Sequence, residues 1–173
     1  SGMGMPSMGI YSYELFHFYG VETIVRVGSA GALQDDLNIG DLVVAAGCSS
    51  FTRYLDQFGT PGTFAPLGDF ELAASAVKAA REKGFRCVAG NVLSSDTFYD
   101  DDPDFLKKWQ RMGVLAVEME TAALYANAAR AGKRALGIFT VSDCPFKGLA
   151  TTAEQRQTAF TGMVETALEL LNG

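Results

Sequence analysis

The sequence predicts an α/β fold: a single domain in three layers, α/β/α, around a mostly parallel central sheet. Short apolar runs of strand type alternate with segments of helical spacing from one end of the chain to the other. No internal repeat, linker or low-complexity tract breaks that alternation. The length of 173 residues, 48% apolar and 20% charged, suits one folded unit over residues 1–173 with a real core. In a covered parallel sheet the ligand site is expected beyond the carboxyl ends of the strands.

Met8, Tyr11, Leu15 and Phe18 recur at helical spacing between Pro6, suited to a first helical turn, and Gly20, suited to a stop. Thr23 to Gly31 reads as a buried strand entering a tight glycine turn, and Asp41 to Ala46 as a second strand. Residues 49–68 contain Gly59, Pro61, Gly62 and Pro66 and read as a long excursion, a length that in compact domains usually serves function. Phe70 to Gly84 is a strong helix with Asp69 as its N-cap. Arg86 to Leu93 is a third strand, and Pro103 to Met112 a short helix. Val114 to Met119 is a fourth strand that turns directly into a helix over Glu120 to Ala131. Arg134 to Ser142 is the fifth strand, and Thr152 to Leu171 one closing helix.

Composition excludes several classes. A net charge of −6 argues against nucleic-acid binding, which needs clustered Lys and Arg, although local donors can still hold a small anion. No apolar run reaches the ~20 residues of a membrane span, and no basic amphipathic helix suggests a membrane surface. The residues before Pro6 carry neither the charged nor the apolar region of a signal peptide. Cys48, Cys87 and Cys144 are widely spaced and His17 is the only histidine, so no metal site is expected, and reduced thiols of a cytoplasmic protein are.

Four polar groups fall at predicted strand ends: Arg26 with Gly28-Ser-Ala-Gly31, Ser94 to Tyr99, Glu118-Met-Glu120, and Ser142 with Asp143. Arg26 lies inside an apolar strand, where an unpaired guanidinium is costly. It is either an internal ion-pair partner or an anion clamp, helped by the Ser29 hydroxyl and the backbone N–H groups near Gly31. No GxxxxGK[ST] phosphate loop is present. Glu118 and Glu120 flank Met119 at a strand-to-helix junction; one can cap the helix while the other accepts hydrogen bonds from two neighbouring sugar hydroxyls. Asp143 either orders the loop to Pro145 or acts as a general acid toward a leaving group. Phe98 and Tyr99 either offer a flat heterocycle an aromatic face or belong to the core.

The strings Gly2-Met-Gly-Met-Pro-Ser7, Arg26-Val-Gly-Ser-Ala-Gly31, Ser95-Asp-Thr-Phe-Tyr99, Val117-Glu-Met-Glu120, Thr140-Val-Ser-Asp143 and Thr151-Thr-Ala-Glu-Gln-Arg-Gln157 occur in that order. Together they resemble the bacterial hexameric, DeoD-type purine nucleoside phosphorylases of the nucleoside phosphorylase superfamily, across essentially the whole chain. The resemblance implies phosphorolysis of purine nucleosides to free base and pentose 1-phosphate, with phosphate as co-substrate and no cofactor. It implies Arg26 and Ser29 as phosphate ligands, and Met3, Met119 and Glu120 as ribose contacts. Phe98, Val117, Glu118 and Ser142 fall at the base, and Asp143 is the general acid assisted by Arg156. It also implies a homo-oligomer, the family's trimer of dimers.

Two features depart from that pattern. Family members carry an N-terminal segment with a Gly-rich phosphate loop and an Arg, and a neighbouring subunit adds a His and an Arg; nothing here matches these. The chain begins at the family's internal Gly-Met-Gly segment, so the sheet is expected to lack its first strands. Cys144 stands where the family usually has His. The alternatives are a nucleosidase of the same superfamily that uses water on methylthioadenosine or adenosylhomocysteine, or an inactive fragment. A uridine phosphorylase is disfavoured, because no Gln/Arg pair matches the pyrimidine-reading insertion in residues 49–70.

Overall fold

The computed structural model describes residues 1–158 and 160–171, with the side chains of 156–158 outside that description. The helices are α1 (Met5–His17), α2 (Phe70–Glu82), α3 (Phe105–Arg111), α4 (Thr121–Ala131), α5 (Ala153–Thr158) and α6 (Thr161–Glu169). The strands are β1 (Thr23–Ala32), β2 (Leu42–Ser50), β3 (Cys87–Ser94), β4 (Ala116–Glu118), β5 (Arg134–Cys144) and β6 (Leu149–Ala150).

The sheet order is β1-β4-β3-β2-β5-β6, and β1 also pairs with β5. The first five strands therefore form a closed ring, with β6 attached to β5. The long pairings, β1 with β5 and β2 with β3, are parallel, and so is β3 with β4. The ring closes through two short antiparallel pairings, β1 with β4 and β2 with β5. Paired length is mostly parallel, as the sequence predicts, but β1 and β5 run opposite to β2, β3 and β4. The carboxyl ends of the strands consequently point to both ends of the ring rather than to one.

Alternation along the strands sorts the core onto two sides. Ala30, Val43, Ala45, Phe139 and Val141 face α1 and α4, where Met5, Met8, Phe16, Ala122 and Leu124 complete one cluster. Leu42, Val44, Leu136 and Ile138 face α2 and α6, with Leu72, Ala76 and Met163. These are the predicted helical layers. Short α3 covers a third, smaller cluster around Leu33, Leu93 and Val114.

Helix α2 begins at its expected cap: the Asp69 carboxylate accepts from the Leu72 N–H at 2.9 Å. The Arg134 guanidinium binds both oxygens of Asp69 and holds that carboxyl below its usual range. The expected closing helix is two helices, because buried Phe160 has φ −99° and ψ 50°, outside the helical region. Two-residue β6 is too short to show in a sequence pattern. Strand β4 is shorter than expected, since its pairing runs only from Ala116 to Glu118. The 49–68 excursion contains a 3-10 turn, Tyr54–Phe58, and touches the sheet at a bridge between Gly47 and Leu67.

Tyr125 on α4 ties helix to sheet. Its buried hydroxyl donates to the Ala45 carbonyl and accepts from the Gly137 N–H. Tyr125→Phe leaves both backbone groups buried without a partner, so it is expected to cost about 1–3 kcal/mol of unfolding free energy in urea titrations. An unchanged midpoint and slope would show that water replaces the hydroxyl.

Candidate active site

Strand β4 ends at Glu118, and α4 starts three residues later, so Glu118, Met119 and Glu120 form a hard bend. The first turn of any helix has N–H groups without intrahelical partners. Glu118 supplies the acceptors: Oε2 takes the Glu120 N–H at 2.9 Å, and both oxygens lie within 3.1 Å of the Thr121 nitrogen. The Ser94 hydroxyl, at the end of β3, donates to Oε1. Burial pushes the Glu118 carboxyl up, opposed by Arg26, Ser94 and these backbone groups.

Glu120 faces the other way. Its Oε2 accepts from Nη2 of Arg26 and its Oε1 from the Gly4 N–H at 2.7 Å. Nη1 of Arg26 lies 3.6 Å from Oε2 of Glu118, and the guanidinium rests 4.9 Å from the centre of the Phe139 ring. Of the two readings of Arg26, the structure shows the internal ion-pair partner, held between two carboxylates. Among the described residues, Nε and Nη1 have no hydrogen-bond acceptor. Met3, next to Gly4, is exposed beside this pair, and Met119 is half-buried.

A second cluster forms around Gly31, which pairs with Val117 on one side and Asp143 on the other. A methyl group at Gly31 would stand 2.7 Å from Oδ2 of Asp143 and 3.3 Å from Cγ1 of Val117. The buried Ser142 hydroxyl donates to Oδ1 of Asp143 at 2.7 Å. Between Ala30 and Gly31 the register of β1 against β5 slips by one residue, a bulge that re-aims Asp143.

The structure brings together Arg26, Glu118 and Glu120 in one group, and Val117, Ser142 and Asp143 in the other. Side chains alternate along a strand, so Arg26 looks to one face of β1 and Ser29, exposed, to the opposite face. Ser29 is thus not beside the guanidinium. The same alternation separates Val117 from Glu118 on β4, and no contact joins Asp143 to Arg26 or Glu120. Phe98 and Tyr99 are exposed, meeting edge to face with ring centres 5.0 Å apart, and are not core. The Arg156 side chain lies outside the described residues.

Sequence reasoning marked Ser94 as a strand-end polar residue but not its bond to Glu118. It missed the Gly4 N–H on Glu120 and Cys48, whose Sγ lies 3.1 Å from the Ser94 hydroxyl. Only pairing between distant strands creates these contacts. A cavity of about 590 Å³ lies under the 49–68 excursion between Ser49, Thr63, Asn91 and Trp109. Among the described residues, no group of three or more His, Cys, Asp or Glu side chains could hold a metal ion, and no helix is long and apolar enough to cross a membrane.

The chain belongs to the phosphorylase superfamily, whose family model matches residues 1–172. Within it the chain is similar to curated purine nucleoside phosphorylases of the DeoD type. It is 46% identical to that of Geobacillus sp. (strain WCH70) over 169 residues, covering 98% of this chain and 72% of the relative. Identity to the one from Alkaliphilus metalliredigens (strain QYMF) is 47% over 171 residues, with 98% and 73% covered. The resemblance carried by the ordered strings is thereby borne out.

Gly31→Ala is expected to push the Asp143 carboxylate off Ser142 and to cost about 1–3 kcal/mol by overpacking, read by urea denaturation and a structure of the variant. An intact Ser142–Asp143 hydrogen bond in that variant would count against the crowding argument.

Proposed function

We propose that this chain cleaves purine ribonucleosides and deoxyribonucleosides by phosphorolysis, giving the free base and the pentose 1-phosphate. The observation that carries this reading is the buried contact between Arg26 and Glu120. On this reading Arg26 is the phosphate-binding cation, and Glu120 beside it is the carboxylate that takes the 2′- and 3′-hydroxyls. Similarity to DeoD-type purine nucleoside phosphorylases over 98% of the chain supports it further.

On this reading the nucleoside lies across the end of β4, ribose toward Met3, Met119 and Glu120, and base toward Val117, Ser142 and Phe98. Arg26 is the phosphate ligand; Ser29, which the resemblance also names, looks to the opposite face of β1. A phosphate oxygen forms the new bond to C1′ as the C1′–N9 bond breaks and its electron pair leaves with the purine. Positive charge grows on the ribose, where the phosphate dianion stabilises it. Asp143 gives its proton to N7 of the departing base, and Arg156, assigned by the resemblance, assists. No metal or organic cofactor enters, since phosphate is the nucleophile and a side chain supplies the proton.

Residues 1–173 belong to one catalytic domain. The working form is a homo-oligomer, the hexameric trimer of dimers, supported by exposed Ile10, Tyr11, Phe18 and Tyr19 in and just after α1. Action in the cytoplasm is supported by three free, buried cysteines.

Base release from inosine or adenosine by the purified chain is expected to require phosphate and to yield pentose 1-phosphate. Equal release in phosphate-free buffer would replace phosphorolysis by hydrolysis. Asp143→Ala is expected to lower kcat about 10²–10⁴-fold with little change in KM. A kcat near that of the wild type would remove Asp143 from the acid role.

A further inference from the structure

The resemblance puts Glu118 at the base, but its carboxylate has no oxygen left for a ligand. The side chain is 1% exposed. Oε1 is taken by the Ser94 hydroxyl and the Thr121 N–H, and Oε2 by the N–H groups of Glu120 and Thr121, with Arg26 3.6 Å away. Three donors, the Ser94 hydroxyl and the N–H groups of Glu120 and Thr121, the last shared between both oxygens, engage the whole carboxylate, and its burial closes the remaining direction to a ligand. To reach a heterocycle, Glu118 would have to abandon the start of α4.

We propose that Glu118 is a positioning residue, which with Ser94 fixes the Arg26–Glu120 pair from behind and makes no contact with the base. This rests on the phosphorolytic reading and assigns a part of its site. Glu118 holds Glu120 by its backbone N–H, so the Glu120 side chain leaves the bend in one direction only. It also stands beside Nη1 of Arg26, on the side away from Glu120. The two partners of the sugar and anion site are thus registered against one buried charge.

Ser94 completes the device. Its single hydroxyl proton goes to Glu118, while its oxygen accepts from the Ala122 N–H at 2.9 Å. Cys48, 3.1 Å away, receives no proton from Ser94 and is a thiol, its own proton shared between the Ser94 oxygen and the Ser49 carbonyl at 3.4 Å. Burial, and after it the Glu118 charge, push the Cys48 thiol up, in agreement with that proton order. The chain Cys48, Ser94, Glu118 runs from the core to the ion pair, with Ser94 donating to the carboxylate.

The test compares wild type, Glu118→Gln and Ser94→Ala, with rates normalised to folded protein. Gln places an NH2 donor against the N–H groups that Glu118 accepts; Ala removes one donor and is the milder change. Both variants are expected to raise the phosphate KM and lower kcat, by about tenfold or more for Glu118→Gln, because a small displacement of a positioned group has effects of that size. The ratio of kcat/KM for adenosine to that for inosine is expected to stay within about threefold, since neither base is read by Glu118. A tenfold change in that ratio at constant phosphate KM would make Glu118 a base contact and overturn the proposal. Unchanged kinetics per folded molecule would make it a helix cap only, and also overturn it. Calorimetric phosphate binding separates this result from the activity itself. A wild type that binds phosphate but releases no base refutes phosphorolysis, while the proposal still requires about tenfold weaker phosphate binding in Glu118→Gln. A wild type that binds no phosphate refutes both.

Discussion

Arg26 is a guanidinium in the middle of an apolar strand, and the rest of the site is arranged around keeping it there. Its side chain is 13% exposed, lies on the Phe139 ring, and meets two carboxylates that are themselves buried. A buried ion pair adds little to stability compared with apolar packing, but removing one partner is expensive, about 3–5 kcal/mol, because the other charge is left uncompensated. The group is consequently all or nothing. It persists because each carboxylate has further donors: Gly4 for Glu120, and Ser94 with the first N–H groups of α4 for Glu118. A fold that keeps such a group in place of Leu or Val retains a cation and an acceptor in fixed register.

Closure of the sheet is what brings those donors within reach. Strand β4 pairs with β1 over only two residue pairs, yet that pairing sets Glu118 alongside the strand that carries Arg26. On the far side of β1, the long parallel pairing with β5 delivers Asp143 to Gly31, level with Val117. Two glycines make the approach possible. A methyl group at Gly28 would come within 2.9 Å of Nη1 of Arg26, and one at Gly31 within 2.7 Å of Asp143. The bulge between Ala30 and Gly31 then turns Asp143 toward Val117.

How much of this was legible varies with the range of the interaction. Asp69 announces the start of α2 because capping is settled within three residues. The break at Phe160 was invisible, since helical spacing continues through it and burial of that ring is a tertiary matter. The opposed direction of β1 and β5 was equally hidden: apolar runs look alike whichever way their neighbours point. In the site, the pair Glu118 and Glu120 announced one capping and one free carboxylate, and the division of labour follows from which of them is followed by unpaired N–H groups. Phe98 and Tyr99 could not be assigned from periodicity, and proved exposed.

The order of the short strings, the apolar alternation and the charged residues stranded in apolar runs determined the family, the α/β class and the inventory of chemical groups. Those are properties of residues and their near neighbours, and the chain states them directly. Which groups touch was decided only when the ring closed. The Gly4 N–H reaches across 116 positions to Glu120, and Arg26 across 94. Contacts over such separations depend on strand order and register, and a one-residue slip in either strand would turn these side chains to the opposite face.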